Sequence, residues 1–275
     1  MRKLLLISIL SSFLISCEDV IEVETPTDRP RLNIDALIKV QDNSENTTIN
    51  ITAKLTSSFF ESSSIPEIDS MTLTNSDIAT SEDRTISLIE QPAGSGRYTS
   101  TVTNSFLTSG VLILDIDYDN QQYTAETRFV PSVPISKLAQ GTDTVFSDDE
   151  KEVIIAFNDI PDQENFYILD LDFNEYLATE DEFYPGQKFE FSYFYDDNVS
   201  LGREITVNLL GADKNFYDYM TQVIVQAGGD QGPFQTPAGT VKGNIIVKNS
   251  TEDTTDFVLG YFAIVQQYTR TIILE

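Results

Sequence analysis

Residues 111–119 read VLILDIDYD, and their alternation decides the fold class. Leu112, Leu114, Ile116 and Tyr118 fall on one face of an extended chain and Asp115, Asp117 and Asp119 on the other, the period of two of a half-buried strand. Asp119-Asn120 then supplies a hairpin turn into QQYTAETRF. Similar short runs, bounded by Asn, Asp, Ser, Gly and Pro, recur on both sides. LNIDALIKV (32–40), TINITAKLT (48–56), RTISLIE (84–90), GRYTSTVT (96–103) and QYTAETRFV (122–130) complete a first group dense enough for an antiparallel β-sandwich.

Pro131 and Pro134 interrupt this pattern, because a proline removes a ladder donor and breaks a central strand. A domain boundary is expected there, with an N-terminal sandwich over 32–133 and a C-terminal one over 134–275. The second region carries EVIIAFNDI (152–160), NFYILDLDF (165–173), KFEFSYFY (188–195), EITVNLL (204–210), GNIIVKN (243–249), FVLGYFAIV (257–265) and YTRTIIL (268–274). The expected fold is all-β: two tandem sandwiches of immunoglobulin-like or fibronectin-like kind. Tyr167, Leu169, Leu171 and Phe173 are expected to face the second core. One segment departs from the strand period. Asp213 precedes KNFYDYMTQVIVQA, whose Phe216, Met220, Val223, Ile224 and Ala227 recur at helical spacing before Gly228-Gly229, so a helix is expected over 214–227. The glycine-rich stretch 228–243 behind it reads as an irregular surface loop.

Composition narrows function. The chain has 275 residues, 17 basic against 44 acidic, no histidine, no tryptophan and one cysteine, for a net charge of −27. That balance disfavours nucleic acid as a partner, since phosphate recognition needs clustered Lys and Arg. Without imidazole there is no Ser-His-Asp or Cys-His set and no axial histidine for haem. Paired carboxylates could still support glycoside hydrolysis, but 44 acids bring some pair to a suitable distance by chance. The chain is expected to act without catalysis.

The opening MRKLLLISILSSFLISCEDV joins a basic pair, Arg2-Lys3, to an apolar stretch that fits an export signal and is short for a membrane span. Leu14-Ile15-Ser16-Cys17 is similar to a lipoprotein cleavage box, so residues 1–16 read as a signal peptide and Cys17 as the acylated residue. The alternative is an ordinary signal followed by a stray thiol. Several acyl chains on one residue hold a protein at a membrane, at about 0.8 kcal/mol per buried methylene. Glu18, Asp19, Glu22 and Glu24, with Pro26 and Pro30, make 17–31 an acidic, extended tether.

Taken in order, Cys17 and its tether, LNIDALI, QPAGSGRYTST (91–101), YTAETRFVPSVPISKL (123–138), FNDIPDQENFYILDL, FYDYMTQV, GPFQTPAGTVKGNI (232–245) and VLGYFAIV (258–265) resemble the DUF4249 family of Bacteroidetes lipoproteins. The resemblance implies an outer-membrane lipoprotein, accessory to a TonB-dependent transporter and facing the cell exterior. It carries over no catalytic residue.

Two further readings concern sites. Asp115, Asp117 and Asp119 offer oxygen ligands for calcium, yet Gln121 stands where a calcium-binding loop of the EF-hand kind needs glycine, and the wet face of a strand explains the acids as well. A calcium-stiffened structural or adhesive surface module is the corresponding alternative function. The aromatic run of 189–195 reads mainly as core, with Tyr193 and Tyr195 kept as contact candidates. Gln231, Phe234 and Gln235 are the contact candidates of the glycine-rich loop.

Overall fold

The alternating runs fold as strands because each buries one apolar row and leaves the other free. The structure is a computed structural model and describes residues 29–57, 62–145, 150–195, 199–228, 239–248 and 257–275. The first group comprises β1 (Leu32–Val40), β2 (Asn46–Leu55), β3 (Ser70–Asn75), β4 (Thr85–Ser87), β5 (Ile89–Glu90), β6 (Arg97–Thr103), β7 (Leu112–Tyr118), β8 (Gln121–Thr127) and β9 (Phe129–Val130). The second comprises β10 (Ile135–Gln140), β11 (Lys151–Asn158), β12 (Phe166–Asp170), β13 (Tyr176–Glu180), β14 (Lys188–Tyr195), β15 (Glu204–Ala212), β16 (Ile246–Val247) and β17 (Leu259–Ile273).

One sheet runs through both groups in the order β13-β12-β15-β17-β1-β2-β6-β5, with β9 also paired to β17. A second sheet, β16-β8-β7-β3-β4, covers its β1-to-β5 end, and a third, β10-β11-β14, covers the other. Two cores result. The first packs Ile34, Ala36 and Ile38 of β1 and Ile49 and Ile51 of β2 against Leu112, Leu114 and Ile116 of β7, all at most 2% exposed. The second packs Tyr167 and Leu169 of β12 and Val207 and Leu209 of β15 against Val153, Ile155 and Phe157 of β11. The all-β, sandwich-like architecture expected from the alternation is present.

The helix Lys214–Ala227 lies on the outer face of the shared sheet. The Asp213 carboxylate accepts a hydrogen bond from the Phe216 amide (2.8 Å), capping its first turn, an arrangement worth about 1 kcal/mol. Phe216 joins Phe166, Ile168, Leu210, Ala263 and Val265 in a third cluster between helix and sheet. This explains why β12 is buried at four successive positions, Phe166 to Leu169: both of its faces are covered, so it lacks the polar row of β7.

The two runs 257–265 and 268–274 are not separate strands. They form the single 15-residue β17. Its first half pairs parallel with β1 in the register Asn33 to Val40 against Leu259 to Gln266, and its second half pairs antiparallel with β15. Gln266 and Gln267 fall where the strand passes from one core to the other. The Gln266 carboxamide oxygen accepts from the Ser132 amide (2.9 Å), and its nitrogen donates to Asp42 (2.6 Å), so a polar residue is held there without breaking the ladder. The Pro131–Pro134 passage is tied down as well, since Ser132 is buried and its hydroxyl donates to the Leu209 carbonyl (3.2 Å). Phe173 is a correction to the expected core row. It is 38% exposed, because Asp172, Phe173 and Asn174 all take positive φ (69°, 50° and 65°) and turn the chain outward after Leu171.

Candidate functional site

A groove of about 840 Å³ runs between the helix and the outer face of β1. Its construction follows from two periods. Along β1, Ile34, Ala36 and Ile38 point into the first core, so Asn33, Asp35, Leu37 and Lys39 must point outward. Along the helix, Phe216, Tyr219, Met220, Val223, Ile224 and Ala227 share one face at spacings of three and four and form the opposite wall. The turn after β12 and the start of β13 close one end with Asn174, Glu175 and Tyr176.

The inner end is aromatic. Tyr261 of β17 lies with its ring 5.2 Å from that of Phe216 and 4.7 Å from that of Tyr219. Burial pushes the hydroxyl of Tyr261 up, with Asp213 adding to it. Burial likewise raises Tyr219, and the nearby Asp35 charge raises it further. Tyr176 is raised by burial, then by Asp170 and Asp35. Asp35 therefore shares the groove with two tyrosines whose hydroxyls its charge raises. It has no hydrogen-bond or ion-pair partner among the described residues, whereas Lys39, the base of the lining, is 3.7 Å from Asp170.

A smaller hollow of about 490 Å³ lies beyond the same turn, lined by Phe173, Tyr193, Phe194, Tyr195 and Arg203 among others. It brings Tyr193 and Tyr195 together, with their rings 4.8 Å apart and edge to face. Tyr195 is a core residue: it is 3% exposed and its hydroxyl donates to the Leu171 carbonyl (2.6 Å). Tyr193 is half-buried and packs against the second core. The exposed ring here is Phe173, with the Arg203 guanidinium 5.3 Å above it. A turn of three left-handed residues moved it out, and no strand period reveals such a turn.

Asp115, Asp117 and Asp119 do not converge. Asp115 is 3.3 Å from the Lys248 ammonium. Asp117 accepts from Ser70 (2.5 Å) and Gln122 (2.9 Å), and these bonds hold its carboxyl below the usual range. Asp119 occupies the β7–β8 turn at φ 50°. Among the described residues no group of three or more acids is placed to hold a metal ion. Cys17, the signal peptide 1–16, and Gln231, Phe234 and Gln235 lie outside the described residues, as does the tether up to residue 28.

The family model for a domain of unknown function, DUF4249, matches residues 18–271. The chain belongs to the DUF4249 family. Among curated proteins none matches it. A solved structure similar to this DUF4249 chain in part is the crystal structure of a DUF4785 family protein from Legionella pneumophila subsp. pneumophila str. Philadelphia 1. The identity is 13% and the TM-score 0.23, over 66% of this chain and 52% of that one, so the chain spans about half of that protein's length. A likeness of that size carries no argument about function. No helix among the described residues is long and apolar enough to cross a membrane.

Proposed function

We propose that this DUF4249 protein is a lipid-anchored outer-membrane protein, held through Cys17 and facing the cell exterior, that serves a TonB-dependent transporter as a non-catalytic accessory or ligand-binding partner. The observation that carries this reading is the groove between the helix and β1. It is a concave, half-apolar surface with an unpaired carboxylate, and binding sites have this composition. The groove's titratable groups are carboxylates, tyrosines and one lysine already near an acid, a set suited to holding a molecule rather than to transferring a group. The lipoprotein box ending at Cys17 supports the anchor.

Gentle extraction of outer membranes, followed by capture of the acylated chain, tests the proposal. A TonB-dependent transporter is expected to come down with it, and Cys17→Ser is expected to release the chain from the membrane fraction. Recovery of the acylated chain alone at every ionic strength overturns the partnership. Retention of the Cys17→Ser chain in the membrane overturns the anchor.

A further inference from the structure

Four features of the helix–β1 groove agree in sign. Asp35 faces it with no partner among the described residues. Glu175 stands exposed on its rim. The helix C-terminus, Ala227 and Gly228, lines its far end, and the last helical turn carries no basic residue to offset the partial negative charge of the final carbonyls. Lys39, the cation of the lining, is already engaged at 3.7 Å by Asp170. Among the charged side chains of the lining, two carboxylates therefore stand against one ammonium. The groove's walls are not those of a general ion trap, because Met220, Val223 and Ile224 give one side an aliphatic surface along the second half of the helix.

We infer that the groove binds a small organic cation, an ammonium carried on a short aliphatic chain. The positive nitrogen sits at Asp35, in the same groove as the rings of Tyr176 and Tyr219, and the aliphatic part lies along Met220, Val223 and Ile224. Aromatic faces attract a cation through their quadrupole, and a carboxylate in the same groove adds a full charge. Inorganic cations lack the apolar body that the helix wall would cover, and a neutral or anionic amphiphile leaves Asp35 without a counter-charge. The volume, about 840 Å³, lies within the range of small-molecule sites, roughly 300–1,000 Å³.

The inference rests on the groove being the ligand-binding surface proposed above and names its ligand class, but it does not depend on a transporter, so failure of the partnership alone leaves it standing. Titration of the full chain with n-hexyltrimethylammonium, sodium hexanesulfonate and n-hexanol at physiological salt, followed by NMR shifts of methionine methyl and tyrosine ring signals, is the test. The ammonium is expected to move the Met220 and Tyr219 signals saturably, and the sulfonate and the alcohol to bind at least about tenfold more weakly. Asp35→Asn is expected to weaken the ammonium about tenfold, in keeping with the loss of one charged partner. Asp35 is exposed, so this variant keeps its core contacts, and unchanged circular dichroism verifies that it folds. Asp119→Asn, in a hairpin turn of another sheet, removes the same charge and is expected to leave the affinity unaltered. Equal binding of hexanol and the ammonium overturns the inference by showing a merely apolar surface. An equal loss in Asp119→Asn and Asp35→Asn overturns it by showing attraction to net charge alone.

Discussion

The two cores solve the same packing problem with different residues. The first is mainly aliphatic: Ile34, Ile38, Ile49, Ile51, Leu73, Leu112 and Leu114 fill it beside the ring of Phe262. The second is built on rings. Phe157 lies 4.9 Å from Tyr167 and 5.5 Å from Phe189, and Tyr184 stacks on Phe189 at 4.3 Å. The rings bring polar ends with them. The Tyr167 hydroxyl donates to Asp159 (2.7 Å), the Gly186 amide donates to the same buried carboxylate (2.7 Å), and the hydroxyls of Tyr184 and Thr179 share a hydrogen bond (2.8 Å). A buried polar end is costly unless it is partnered, so the second core fixes its partners by geometry as well as by volume. The first core carries fewer such groups, among them Asn75, whose side-chain amide donates to the carbonyls of Phe106 (2.7 Å) and Ser109 (2.9 Å). β17 belongs to both.

The strongest way to break this contrast is to cut what the cores share. Gly260 takes φ 92°, and a Cβ there would run into the Ile34 backbone oxygen. Gly260→Val is expected to cost about 4 kcal/mol or more, since both backbone conformation and strand spacing must give way. Urea unfolding followed by far-ultraviolet circular dichroism should show both cores failing together. Survival of either core at the wild-type midpoint would show that β17 does not couple them.

Next in size are cavity variants. Phe157→Ala is expected to cost about 4 kcal/mol and Leu114→Ala about 3 kcal/mol, both read from the urea midpoint. The ring variant should also loosen the near-ultraviolet signal of the surrounding tyrosines, which the leucine variant leaves intact.

Alkaline pH sharpens the comparison further. Burial pushes the Tyr184 hydroxyl up to about 12, and burial raises Tyr167 and Tyr195 as well. The unfolded chain ionises tyrosine near pH 10, whereas the folded second core keeps these groups protonated. Their contribution is thus whole below about pH 10 and is lost as pH climbs toward the folded values. The first core holds Tyr98, also raised by burial, with Tyr118 packed at its edge. Tyr184→Phe should therefore flatten the fall in stability between about pH 9 and pH 11, followed by urea unfolding, by on the order of 1 kcal/mol, and Tyr98→Phe by less.

The smallest effect belongs to the surface. Lys248→Ala breaks the 3.3 Å pair with Asp115, whose partners are 44% and 35% exposed, and is expected to change stability by less than about 0.5 kcal/mol. A larger loss in thermal midpoint would mean that β16 and its pairing to β8 matter more than two rungs suggest.

The parts legible in the sequence are those governed by neighbours. VLILDIDYD became β7 with Leu112, Leu114 and Ile116 inward, and Asp213 with the periodic residues behind it became the capped helix over the expected span. The parallel union of β1 with β17 was not legible, because it joins residues from opposite ends of the chain, Asn33 with Leu259, and leaves no local mark. The pair Gln266-Gln267 read as an interruption, when its polarity instead serves the crossing between cores. The groove was half legible. The helix itself stood out, but Asp35 looks like any solvent-facing residue of an alternating strand until the helix is seen to pass beside it.

The place of β17 in the order of synthesis has a consequence for assembly in the cell. Leu259 leaves the ribosome about ten seconds or more after β1, at roughly 5–20 residues per second, so the early half of the chain must wait, incomplete, for its parallel neighbour. The late ribbon thus acts as a natural delay, and both cores close only once the whole of β17 is in place.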